Sequence, residues 1–129
     1  MLELYQKWID TLLNRDYLPE MEREFVVLPT FEKQWKDLKL SEEDLRALEN
    51  AILENPDGAP VIPGTGGIRK IRIPLPGRGK RGGARALYVD FVAASQVFFL
   101  AVFAKNEQAD LRPEEKKILK QLVEELKQQ

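Results

Sequence analysis

The stretch GTGGIRKIRIPLPGRGKRGGARALYVD, residues 64–90, decides how the chain is read. Within it Ile71, Ile73 and Leu75 fall on every second position, so the apolar period changes here from 3.6 to 2. A strand is expected, with Arg69 on the isoleucine face and Lys70 and Arg72 side by side on the other. Gly77 to Gly83 reads as a loop and Arg85 to Phe91 as the returning strand. Ala93-Ala94-Ser95 then links it to Gln96–Ala104. That last run is apolar on both faces, which is the pattern of a central strand covered on both sides. Strands in succession with short connections predict an antiparallel sheet, and helices before and after it make the fold class α+β.

Working outward, Phe25 to Leu28 is a short β-branched and aromatic run closed by Pro29, a further strand suited to a sheet edge. Phe31, Trp35 and Leu38 mark a helix. Ser41 followed by Glu42, Glu43 and Asp44 is an N-cap with acids in the first turn, ahead of a helix with Leu45, Leu48 and Ile52 as its stripe. Asn55-Pro56-Asp57-Gly58 stops that helix. Pro113 with Glu114 and Glu115 opens the last helix, whose stripe is Ile118, Leu119, Leu122, Val123 and Leu126. Near the start, Leu2, Tyr5, Ile9, Leu12 and Leu13 form an amphipathic helix that is expected to cover the second apolar face of the sheet. With 129 residues and neither repeats nor a long linker, residues 1–129 are expected to form a single domain.

Charge narrows the function. The net charge is −1, yet residues 58–89 carry seven Lys/Arg and no Asp or Glu, while most of the acids lie before them. A localised basic patch is an electrostatic footprint for nucleic acid or an acidic partner. The absence of cysteine and histidine removes thiolate and imidazole metal sites, disulfides, and the commonest general base. No metal or cofactor is expected. No run of about 20 apolar residues occurs and the N-terminus lacks a signal-peptide pattern, so a cytoplasmic protein without a membrane span is expected. The glycines do not make a nucleotide loop: a GxGxxG from Gly64 would need glycine at Arg69, and a GxxxxGK ending at Gly79-Lys80 would need glycine at Pro74.

What survives is a cation cluster: Lys70, Arg72 and Arg85 on consecutive strands, Arg78, Lys80 and Arg81 in the loop between them, and Lys105 at the end of the next strand. Strict alternation puts Arg85 on the face of Leu87, Val89 and Phe91. It would then reach the cluster only at the strand's end or through a bulge at Gly82-Gly83. Neighbouring cations lower the pKa of a lysine, and arginines clamp phosphate oxygens and stabilise a phosphorane. On the residues alone, polyanion binding and a histidine-free ribonuclease both stay open.

Three segments in order, Pro63-Gly64-Thr65-Gly66-Gly67-Ile68-Arg69-Lys70-Ile71-Arg72, Gly79-Lys80-Arg81-Gly82-Gly83-Ala84-Arg85-Ala86-Leu87-Tyr88, and Ala104-Lys105-Asn106-Glu107 with Asp110-Leu111 and Pro113-Glu114-Glu115, resemble the HigB-type branch of the RelE/ParE toxin superfamily. The likeness runs from about Phe25 to the C-terminus. It implies a small RelE-like fold with two helices before the sheet and one after it. It also implies a ribosome-dependent mRNA endonuclease that works by 2'-hydroxyl attack without metal and is restrained by a cognate antitoxin, HigA-like and of helix-turn-helix type. Lys70, Arg72 and Arg85 match family catalytic positions, with Arg72 in place of a lysine and Lys70 as the candidate base. Lys105, Lys80 or Arg81 would supply the acid, because Asn106 and Arg112 stand where the family carries an arginine and a tyrosine. Arg69, Arg78, Lys80, Arg81 and Tyr88 are the expected RNA contacts. The alternatives within the superfamily are a ParE-like gyrase inhibitor and a non-catalytic basic homologue. Residues 1–20 lie outside the family pattern, and Met21 falls where a family member would start.

Overall fold

A computed structural model describes residues 23–75, 83–105 and 111–129. The expected N-terminal helix and its stripe, and Arg78, Lys80, Arg81 and Asn106, lie outside these described residues. The elements follow the order β1 (Glu24–Val27), α1 (Pro29–Asp37), α2 (Glu42–Glu54), β2 (Arg69–Ile73), β3 (Ala84–Phe91), a single 3₁₀ turn (Val92–Ala94), β4 (Gln96–Ala104) and α3 (Pro113–Lys127). The four strands form one sheet in the order β1-β4-β3-β2. The fold is α+β, as the periodicity predicts.

Local sequence chemistry sets the helix ends. Ser41 and Asp44 form a reciprocal capping box at the start of α2: the Ser41 hydroxyl accepts from the Asp44 amide at 3.1 Å, and the Asp44 carboxylate accepts from the Ser41 amide at 2.8 Å. Proline opens α1 and α3, where its missing N–H costs nothing.

One feature of the sheet corrects the sequence reading. β2–β3 and β3–β4 are antiparallel, but β1 pairs parallel to β4, with Glu24 opposite Gln96 and Val27 opposite Phe99. The sheet is therefore mixed. Helices α1 and α2 carry the chain from β1 across one face of the sheet to its far edge, which leaves β1 to join on the outer side of β4. β4 continues beyond β1, and its exposed edge is met by α1: the Val102 amide donates to the Gln34 side-chain oxygen at 2.9 Å.

β4 separates two cores. On one face Phe31 and Trp35 of α1 and Leu48 and Ile52 of α2 pack with Ile73, Ala84, Ala86, Tyr88, Val97, Phe99 and Val102. Phe31 is wholly buried and stacks between Trp35 and Phe99, with ring centroids 5.4 and 4.9 Å away. On the other face Leu87, Val89, Phe98 and Leu100 pack with Val123 and Leu126 of α3, flanked by Leu119 and Leu122. This second face, expected to be covered by the N-terminal stripe, is thus covered by α3 among the described residues. Ile118 lies at the margin of the α3 stripe and is 65% exposed, so it leaves the predicted core. The two faces also do not follow strict alternation along β4. Leu87 pairs with Ala101 and Tyr88 with Phe99, which leaves Leu100 as an extra residue, a bulge that returns Val102 to the Phe99 side.

The segment before β2 is tied to the body by Thr65, the buried polar side chain of the described core. Its hydroxyl donates to the Ile62 carbonyl at 2.7 Å and accepts from the Ile68 amide at 3.2 Å. This fixes where Ile68 enters the core and therefore the register in which β2 begins.

Candidate active site

β2 is an edge strand, and its register with β3 assembles the cations. Lys70 stands opposite Leu87 and Arg72 stands opposite Arg85. Residues paired across an antiparallel ladder point to the same face, so Arg72 and Arg85 lie side by side with Lys70 two positions along. Arg85 therefore shares the face of Leu87, as alternation requires, and reaches Lys70 and Arg72 through the regular β2–β3 pairing. Gly83, just before β3, lies close against β2, where a Cβ would lie 2.4 Å from the Ile73 carbonyl oxygen, so glycine is what lets the strands meet there.

Lys70, Arg72 and Arg85 line one cavity of about 570 Å³. Its remaining walls are Ile71, Ala51 and Asn55 of the α2 end, and residues 58–60. No carboxylate among the described residues lines it. Arg72 is exposed, whereas Lys70 and Arg85 are half-buried, and the Arg85 guanidinium donates to the Ala84 carbonyl at 3.1 Å. Two arginines directly opposite one another on paired strands repel, at a cost to stability. Convergent cations without a counter-charge suit an anionic ligand, and guanidinium forks match phosphate oxygens.

The wall at residues 55–60 is held by Arg69. Its Nη1 donates to the carbonyls of Ala59 at 2.6 Å and Asp57 at 3.2 Å, and its Nη2 pairs with the Asp57 carboxylate at 3.2 Å. The Pro60 carbonyl in turn accepts from the Lys70 amide at 3.1 Å. Arg69 is thus on the opposite face from Lys70 and Arg72, with its hydrogen bonds taken by the turn. The expectation of a free RNA contact is corrected to a strut. Tyr88, paired with Arg69 across the strands, is corrected further: it is wholly buried in the α1/α2 core and its hydroxyl has no partner among the described residues. Burial pushes its pKa above the usual tyrosine value, assisted by Asp90 and Asp57 and opposed by Arg69. Lys105 follows β4 directly and is exposed, its amide donating to the Gly83 carbonyl at 3.1 Å, and it does not line the cavity.

The sequence reading took Asn55-Pro56-Asp57-Gly58 only as a helix stop and so missed this wall. The available signal was an Asp and an Asn in a proline-glycine turn close in sequence to the basic strand.

A family model described as the RelE toxin of the RelE/RelB toxin-antitoxin system matches residues 27–129. The chain belongs to the RelE toxin family. It is therefore related to proteins that form the toxic half of a toxin-antitoxin pair. Among solved structures, a mutant of the E. coli toxin RelE in the free state is similar at 21% identity, with a TM-score of 0.48, over 66% of this chain and 85% of that one. Every residue of the cationic cavity lies within the RelE match. No helix among the described residues is long and apolar enough to cross a membrane.

Proposed function

We propose that this RelE-family toxin is a ribosome-dependent mRNA endonuclease whose centre is the Lys70/Arg72/Arg85 cavity. The observation that carries the reading is the cavity itself, in which a lysine and an opposed arginine pair converge with no carboxylate among its described lining residues. In the proposed reaction the Lys70 amine takes the proton of a 2'-hydroxyl and the O2' attacks the adjacent phosphorus. The P–O5' bond then breaks, leaving a 2',3'-cyclic phosphate and a 5'-hydroxyl. Arg72 and Arg85 hold the non-bridging oxygens, where charge builds in the phosphorane. The departing O5' takes a proton from a second cation, for which Lys105 is the described candidate. Lysine and arginine perform each step, so the scheme requires no metal. Transcript and ribosome are the targets, and the restraining partner is a HigA-like helix-turn-helix antitoxin.

Induced expression is expected to arrest growth and to create new 5' ends inside codons of translated messages. Lys70→Ala with Arg85→Ala is expected to remove both effects while leaving the fold intact. Mapping 5' ends of cellular mRNA after induction tests this: intact messages together with inhibited DNA supercoiling would overturn the endonuclease reading in favour of a gyrase target.

A further inference from the structure

The cation row accounts for one side of the cavity and leaves the other side unexplained. Asn55, the C-cap of α2, is exposed and lines the same space as Lys70, Arg72 and Arg85, reached around the β2 edge. Its backbone is fixed from two directions: the amide donates to the Ala51 carbonyl at 3.3 Å, and the carbonyl accepts from the Gly58 amide at 3.0 Å. Its side chain packs over the following turn. The carboxamide lies over Gly58 so closely that a Cβ there would come within 2.3 Å of the Asn55 side-chain nitrogen. No hydrogen bond is made by this carboxamide among the described residues, so a donor and an acceptor stand at the cavity wall with their capacity unspent. The turn beneath is clamped by Arg69 through three contacts to Asp57 and Ala59, and Ala59, Pro60 and Ile71 give the wall an apolar surface.

A paired donor and acceptor beside an apolar surface is what reads the edge of a nucleobase, and asparagine is among the side chains that do so bidentately. We propose that the 55–60 turn is the base-reading wall of the cavity: Asn55 recognises the base of a nucleotide whose phosphate is held by Lys70, Arg72 and Arg85, and Arg69 acts as the positioning residue that holds the wall. This inference rests on the endonuclease reading. It makes Asn55 a specificity residue, separate from the groups that act on phosphorus.

The test uses the full-length protein on translating ribosomes carrying messages randomised at one codon, with 5'-end sequencing to score base frequencies around each cut. The wild type is expected to show a base preference at one position. Asn55→Ala is expected to reduce that preference by about tenfold, the worth of one good bidentate base contact. Asn55→Asp keeps the shape but replaces the donor with an acceptor, and is expected to move the preference toward cytosine, whose amino group suits a carboxylate. Arg69→Met is expected to weaken the preference as Asn55→Ala does, and the double variant to be no worse than either one, because both act through the same wall. Thermal melting of each variant separates lost recognition from lost fold. A wild type that cuts without preference, or folded Asn55 variants that keep the wild-type preference, would overturn the inference. Failure of the wild type to cut ribosome-bound message at all would instead overturn the endonuclease reading beneath it.

Discussion

Replacing Arg72 with glutamine should stabilise the fold while it abolishes the activity. Lys70 sends its amide outward to the Pro60 carbonyl, so by alternation the Arg72 amide also points away from β3, and Arg72 and Arg85 form a non-hydrogen-bonded pair. Such pairs are the closer kind, with Cα atoms about 4.5 Å apart. Like charges in that position cost up to about 1 kcal/mol, and two guanidinium groups about 7 Å apart in a water-like dielectric repel by about 0.6 kcal/mol. With Arg72 exposed, the lower half of the range applies, about 0.5 kcal/mol. For a domain of this size that is a rise in Tm of about 2 °C. The gain should disappear near 1 M salt, where the screening length falls to about 3 Å. Cleavage should fall about 100-fold or more, the usual loss when one charge-stabilising donor is removed. Scanning calorimetry at low and high salt, run beside a cleavage assay, measures both. An unchanged or lower Tm at low salt, or a gain that survives high salt, would refute the claim that the site stores repulsion.

Thr65→Val keeps the shape but strands the buried Ile68 amide and the part-buried Ile62 carbonyl, and should cost at least about 1–3 kcal/mol, the penalty for one buried orphan. Thr65→Ser retains both bonds and should cost about 1 kcal/mol or less for the lost methyl; urea unfolding that ranks serine below valine would contradict this. Tyr88→Phe removes a buried hydroxyl that has no partner among the described residues, and should raise stability by up to about 1 kcal/mol. The tyrosine's pKa is raised in the folded state. Its neutral form therefore favours the native state below the unfolded value near 10, and that contribution is lost as pH climbs above it. The phenylalanine variant should accordingly lose stability less steeply than wild type above about pH 10, and parallel alkaline profiles would count against this account.

Much of the architecture could be read from periodicity. The alternation of Ile71 and Ile73 with Lys70 and Arg72 identified β2 and the cation row, and Ser41 with Asp44 located the start of α2 to the residue. The direction of β1 was not legible, because a four-residue strand carries no mark of the edge it will join. Nor was the bulge at Leu100, since an unbroken apolar run hides the position at which its period slips. Arg69 and Tyr88 were misplaced for a related reason. Alternation assigns a side chain to a face of the sheet, but what covers that face arrives from elsewhere: Asp57, twelve residues before Arg69, and the helices above Tyr88.

The parallel pairing of β1 with β4 joins residues 72 apart, as the Glu24–Gln96 contact records, whereas β2 and β3 are neighbours in the chain. Closing the longer loop costs about 1.7 kcal/mol more entropy than closing the β2–β3 hairpin, taking the loop lengths as roughly 72 and 11 residues. The order of assembly follows. The hairpin that carries Lys70, Arg72 and Arg85 can form from a nascent segment, but β1 has no strand to join until β4 has left the ribosome. A toxin emerging from the very machine it is proposed to attack would thus bring its cations together before its sheet is closed, and the seam at β4 would be the last part of the fold to become permanent.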